Sequence, residues 1–560
     1  MHGRHPLVLS LIVVLTGSWP LRADPADDLL RLAPPDAAVT FVVRDLKTHA
    51  KAVAGSPFAR WLAESPIGRQ LADPQARQKL AAVEKLLAEQ IGLTAEQLLA
   101  DVFGDALVLA YQPGPAGKPE QESGVILVRA RNPESLAKLV EAVNRLQRGS
   151  GELAAVRDRA YRDRTYLERE KAVGGREYVY HRDGVLAFSG QEAAIRAVID
   201  REQASDRQSA VADGIGRLGL ADKLAVCWFA PRRFDADLRA KAEAAADPGE
   251  RAFLTEFQKV WAATDGVAVY AHPDRGLELG LAVAADPGKL PPAVRDVLFP
   301  ARVNPGLWGA VPADAMIAFG GRVNVPKLLA VVETFLPAEG KAGLRAAVAD
   351  GLGPLVGKGK LAAVLAGVGP GWVAWASPPA GKDVWIPHWA VAVELAEPAR
   401  VPVLQMLDFA TQLLRLDYNR KHADQIELLG PADGGSVRTL ANEVAFPTGF
   451  RPSFGLNGGR LVIADSPETV SRFGQPTPPV VDQPLLSVSA TRLRRYLADN
   501  SAEVTVAMAR WTGKPKEQVA AEVFAFGASL SALDRLELRH SAADGRLKLW
   551  LRAEFVQPLK

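Results

Sequence analysis

The chain has 560 residues, 48% hydrophobic and 23% charged, with 67 Lys and Arg against 64 Asp and Glu. That length calls for two or more domains, and that composition is globular, which excludes a disordered, collagen-like or coiled-coil chain. A formal charge of +3 gives no global field for holding nucleic acid or an anionic membrane surface, and one cysteine, Cys227, excludes an intramolecular disulfide.

The N-terminus reads as a secretory signal peptide over residues 1–23. His2, Arg4 and His5 precede an apolar run over 7–15, which Gly17, Ser18 and Pro20 break, and Ala23 offers a small residue before Asp24. The run is too short to span a bilayer, and no cysteine stands at the cleavage point to carry a lipid. The expected location is periplasmic or extracellular, with no transmembrane segment in the mature chain. Cleavage removes Arg4 and Arg22, leaving 65 basic against 64 acidic residues, a charge of +1.

Downstream, residues 79–91 have the spacing of an amphipathic helix ended by Gly92, and Thr94 with Gln97 forms a capping box. Strands are expected over 106–110 and 125–130. Asn132 and Pro133 then start a helix with Leu136, Leu139, Val140 and Val143 on one face. Strands follow near 165–169, 178–181 and 185–189, the last two joined by the turn Arg182-Asp183-Gly184. A helix over 191–200, a strand over 224–229, one long helix over 235–262 and strands over 267–271 and 277–283 complete the unit. Cys227 sits in an apolar strand, where a free thiol serves as a small hydrophobe.

The same order recurs. Pro34, Asp36, Phe41 and Arg44 match Pro312, Asp314, Phe319 and Arg322, each 278 residues on. The 106–110 strand matches 371–375, Gly124–Pro133 matches Trp389–Pro398 at 265, and Gly184 matches Gly459 at 275. The expected organisation is a first copy at 24–290, a Pro/Gly-rich junction at 291–311 and a second copy at 312–560. Hairpins outnumber crossovers, so the expected fold class is α+β, each unit a largely antiparallel sheet with helices packed on one face.

The succession Phe103-Gly104-Asp105-Ala106-Leu107-Val108, the strand over 125–131 running into Pro133-Glu134-Ser135-Leu136, and the run Asp183-Gly184-Val185-Leu186-Ala187-Phe188 resemble a bacterial family of exported proteins known only as a domain of unknown function. The resemblance covers most of the first copy and, more weakly, the second. It implies a repeated extracytoplasmic α+β architecture and brings no active-site residues. Pro370 replaces the acidic turn residue in the second copy.

No motif carries chemistry on its own. Ser135 and Lys138 have the Ser-x-x-Lys spacing of penicillin-recognising enzymes, but the companion elements are missing. Pro115-Ala116-Gly117-Lys118 lacks the other residues of a phosphate loop. The pairs His181/Asp183, His272/Asp274 and His540/Asp544 have no third metal ligand nearby. The mixed charges of 157–171 read as the solvated face of a helix–strand pair. Trp372, Trp375, Trp385 and Trp389 are the ligand-binding candidates, for a glycan or a protein partner, against the alternative that they fill a wider gap between sheet and helices. No catalytic residue, metal or cofactor is expected. The leading expectation is an exported, non-enzymatic binding or envelope-associated protein; the alternative is a secreted or periplasmic hydrolase with a site between the two copies.

Overall fold

The computed structural model describes residues 24–64, 85, 88, 89, 91–115, 118, 121–204, 208–273, 276–300, 306–357, 359–379, 381, 384–430, 436–474 and 484–556. The expected helix over 79–91 and the Pro-rich segment at 474–484 fall almost wholly outside these residues. Among the described residues no helix is long and apolar enough to cross a membrane.

The first half contributes β1 (Val39–Arg44), β2 (Ala106–Gln112), β3 (Ser123–Arg129), β4 (Leu153–Tyr161), β5 (Arg164–Lys171), β6 (Arg176–Arg182), β7 (Val185–Ser189), β8 (Ala225–Phe229), β9 (Thr264–Pro273) and β10 (Gly276–Ala285). All pair antiparallel, in the spatial order β4-β5-β6-β7-β3-β2-β1-β8-β9-β10. The second half contributes β11 (Ile317–Arg322), β12 (Val368–Ser377), β13 (His388–Leu395), β14 (Glu427–Leu429), β15 (Arg438–Ala441), β16 (Ser453–Asn457), β17 (Arg460–Ala464), β18 (Leu486–Ser489), β19 (Leu533–Ala543) and β20 (Arg546–Phe555). Their order is β14-β15-β16-β17-β13-β12-β11-β18-β19-β20, the first order with every number raised by ten. Residues put in correspondence by sequence also hold matching places: Phe41 lies between Leu109 and Cys227, and Phe319 between Ala374 and Leu486.

The last strands of the two halves, β10 and β20, pair antiparallel, which joins everything into one twenty-stranded sheet. Leu279 stands opposite Leu551, Gly280 opposite Trp550, and Leu281 opposite Leu549. With Gly276 laid on Arg546, Leu279 corresponds to Leu549 and Leu281 to Leu551, so the seam has a two-fold symmetric register.

Helices cover one face in depth. The first half contains α1 (Pro25–Leu32), α2 (Leu46–Ala54), α3 (Pro57–Glu64) and α4 (Pro133–Gly149), of which α1 heads a layer over that face. The layer is completed by α5 (Glu192–Gln203) and α6 (Ala210–Arg217). Leu29, Ile195, Ile199 and Ile215 pack there on Val42, Val108, Leu127, Val226 and Tyr270. Then come α7 (Asp235–Ala244), α8 (Pro248–Ala263), α9 (Pro292–Leu298), α10 (Val325–Thr334), α11 (Ala338–Val356), α12 (Leu361–Gly367), α13 (Glu397–Lys421) and α14 (Pro467–Arg472). Leu307, with Val470 and Phe473 at α14, covers Val373, Trp375, Ala392 and Val462 on the same face of the second half. Among the described residues a smaller set covers chiefly the flanks of the opposite face. There α4 packs Leu136 on Leu107, Val128 and Leu186, while α11, α12 and α13 cover Val393, Leu461 and Ile463.

Two glycines are required by this packing. A Cβ on Gly266 would lie 2.0 Å from the Trp228 ring, and one on Gly280 would lie 2.3 Å from the Tyr270 ring, because both rings lie flat on the neighbouring strand.

Local signals behave as their chemistry demands. The Thr94/Gln97 capping box forms, Asn132 caps α4 through the N–H groups of Glu134 and Ser135, and Asp183 and Gly184 both take positive φ in the β6–β7 turn. Two readings are corrected. The helix expected over 235–262 is two helices, because Asp247 leaves the helical region ahead of Pro248 and caps α8, its carboxylate accepting from Glu250 N at 2.7 Å. Residues 157–171 form the β4–β5 hairpin, not a helix–strand pair, with Arg157–Glu170 and Arg159–Glu168 ion pairs across the strands.

Candidate functional site

A strand sends alternate side chains to opposite faces, so the ladder registers state which residues share a face. Following the direct partners from β7 gives Leu186, Val128, Leu107, Val43, Ala225, Ala271 and Leu279. The row crosses the seam and continues through Leu551, Leu538, Leu486, Phe319, Ala374, Val391 and Ile463. It runs over fourteen strands, roughly 60 Å at the usual strand spacing, without one polar side chain. A second row lies beside it: Ile126, Leu109, Phe41, Cys227, Val269, Leu281 and Leu549.

The flanks of this face carry the helices described above, and α3 sets Phe58 against Phe555 at one end of β20; among the described residues the middle is otherwise open. Leu109, Val269, Leu279, Leu281, Leu549, Phe319 and Val391 are exposed. On β9, β10, β19 and β20 the floor is mainly Leu, Val and Ala, with His540 beside Leu549, and Phe555 and Pro273 at strand ends. Charges at the seam go to the other side. Glu278, Glu537, Arg539, Lys548 and Arg552 all point that way, with Lys223 pairing Glu278 at 3.4 Å and Arg539 pairing Glu537 at 2.8 Å. Lys548 sits 4.9 Å from the centroid of Tyr270, and burial lowers its pKa. An antiparallel sheet with one free face ordinarily turns polar residues to water. Here the open face is the apolar one.

The four tryptophans do not form one platform. Trp372 and Trp389 lie on the open face, Trp372 with its ring 5.5 Å from that of Phe319. Trp375 points the other way and is 9% exposed in the second-half core. Trp385 packs in the hairpin loop with Leu493 and Tyr496, whose hydroxyl donates to its carbonyl at 3.0 Å.

One constellation escaped the sequence reading because its parts are 77 residues apart. His388 Nδ1 lies 2.7 Å from Asp465 Oδ2, and Asp465 Oδ1 accepts the Trp389 N–H at 3.1 Å, which fixes the ring. Ser377 stands directly across the ladder from His388 but makes no hydrogen bond to it. Among the described residues no three His, Cys, Asp or Glu side chains converge as metal ligands. Ser135 is buried in the first turn of α4 while Lys138 is exposed, and burial raises the Cys227 thiol pKa, so neither presents an activated nucleophile. The chain matches no family model, no curated protein and no solved structure.

Proposed function

We propose that this is an exported binding protein that carries or receives a diacyl lipid on the open face of its sheet. The uncovered apolar floor around Val269, Leu279, Leu281 and Leu549 carries the reading. A contiguous apolar surface of this extent marks an interaction site. Its chemistry favours hydrocarbon over protein: protein interfaces concentrate aromatic residues, Met and Arg at their centres, and around Val269, Leu279, Leu281 and Leu549 the floor carries Leu, Val and Ala instead. Its dimensions agree. One acyl chain spans about 15 Å, half the hydrocarbon core of a bilayer, and the exposed part of the face, from Leu109 on β2 to Val391 on β13, crosses roughly 50 Å, which holds two chains end to end or side by side. Export rests on the N-terminal pattern, and an envelope destination supplies the ligand.

The test is transfer of a phosphatidylethanolamine carrying a fluorescent acyl chain from vesicles to the delipidated protein. Uptake that Leu281→Glu abolishes, with an unchanged circular dichroism spectrum, supports the reading. Absence of uptake by the wild type, or a dimer that Leu281→Glu dissociates, overturns it.

A hydrolytic reading has one observation in its favour, the His388–Asp465 pair with Ser377 across the ladder. An ester substrate cleaved by the wild type and not by Ser377→Ala would establish it; equal rates would dispose of it.

A further inference from the structure

The connection from β18 to β19 is a helical hairpin and a half: α15 (Ala490–Asp499), α16 (Ser501–Thr512) and α17 (Lys516–Ser529). They enclose a groove of about 820 Å³, inside the range of small-molecule sites. Leu497, Val523 and Phe524 supply its walls, and Ala502, a small residue in the lining, leaves room between them. Phe524 is 79% exposed, so an apolar side chain at the rim is left without cover. The ionisable side chains of the lining are Arg494 and Lys516, and both are cations.

The two cations stand at opposite ends. Lys516 opens α17, while Arg494 Nη1 donates to the Ser531 carbonyl at 2.7 Å, just past the last turn of that helix. Fifteen residues of helical rise separate those ends by about 22 Å. One acyl chain of about 15 Å and its head group fit that length. The bond to Ser531 holds the guanidinium in place, with its other N–H groups available for a two-pronged grip on a carboxylate.

From apolar walls, length and charge we infer that this groove binds one long-chain fatty carboxylate, its head on Arg494 and its tail toward Lys516. The inference is independent of the lipid proposed for the sheet face. Palmitate is titrated into the full chain by calorimetry, with hexadecanol as the uncharged comparison. The expected result is one palmitate per chain and binding about tenfold weaker in Arg494→Gln, the size of a charge-assisted hydrogen bond. Lys516→Gln should lose less, and Ala502→Trp should lose this site altogether. Hexadecanol binding as tightly as palmitate, or full affinity in Arg494→Gln, removes the carboxylate site. Loss in Leu281→Glu with none in Ala502→Trp moves the ligand to the sheet. A dimer broken by Ala502→Trp, without palmitate binding, means that a second copy fills the groove.

Discussion

The sheet-face proposal has a quantitative consequence in the triple variant Val269→Thr, Leu281→Thr and Leu549→Thr. The three side chains are direct neighbours in one row, and they are 58%, 40% and 37% exposed. Full burial of such a side chain is worth about 1.5–3 kcal/mol, so covering the exposed remainder of each contributes roughly 1 kcal/mol. Their joint loss weakens lipid binding by about 3 kcal/mol, on the order of a hundredfold. Since the surface concerned already faces water, the fold should lose little, and Thr keeps a strand-compatible side chain. The assay is equilibrium partition of the fluorescent lipid between vesicles and protein, with urea unfolding run alongside. Unchanged affinity in a stable triple variant refutes the argument, and so does a stability loss as large as the affinity loss.

Gly280→Ala should destabilise by about 1–3 kcal/mol, since its methyl would meet the buried Tyr270 ring at 2.3 Å. Urea unfolding should show a lowered midpoint that Tyr270→Leu restores in the double variant; no coupling would mean the ring moves aside freely. Burial lowers the pKa values of His181, His272 and His540, with Lys223 adding to the effect at His272. The unfolded chain then binds more protons, so this stability is complete above about pH 6.5 and is lost as pH falls through the lowered folded values. The urea midpoint should drop between pH 7 and 5, less steeply in His540→Leu; identical slopes would contradict this. The proposed export predicts a mature chain that begins at Asp24, whose carboxylate caps α1 at Ala26 N (2.9 Å) and meets Arg44 at 2.5 Å. Mass spectrometry of the extracytoplasmic fraction decides that, and a full-length N-terminus there would exclude cleavage.

Much of the fold was legible because its signals are local. Asn132-Pro133, Asp183-Gly184 and Thr94 with Gln97 each need only a few neighbouring residues to satisfy their hydrogen bonds. The strand expected over 277–283 is likewise present, and Leu277, Leu279, Leu281 and Val283 alternate along it. What alternation lacks is the identity of the covering layer. The pairing of β10 with β20 joins residues about 270 positions apart and is set by register rather than by any turn, so neither the seam nor the open floor was visible. Asp247-Pro248 did hold a readable break, which helical periodicity across 235–262 concealed. The tryptophans drew attention through size alone, and size does not distinguish Trp375 in the core from Trp372 on the open side.

The seam also imposes an order on biogenesis. β10 finds one neighbour, β9, in an adjacent hairpin, but its other side waits for the strand at the far end of the chain. Until that strand has been made, a long greasy edge with unsatisfied amides is offered to any passing strand. A chain that stopped before Arg546 would leave that edge open for good.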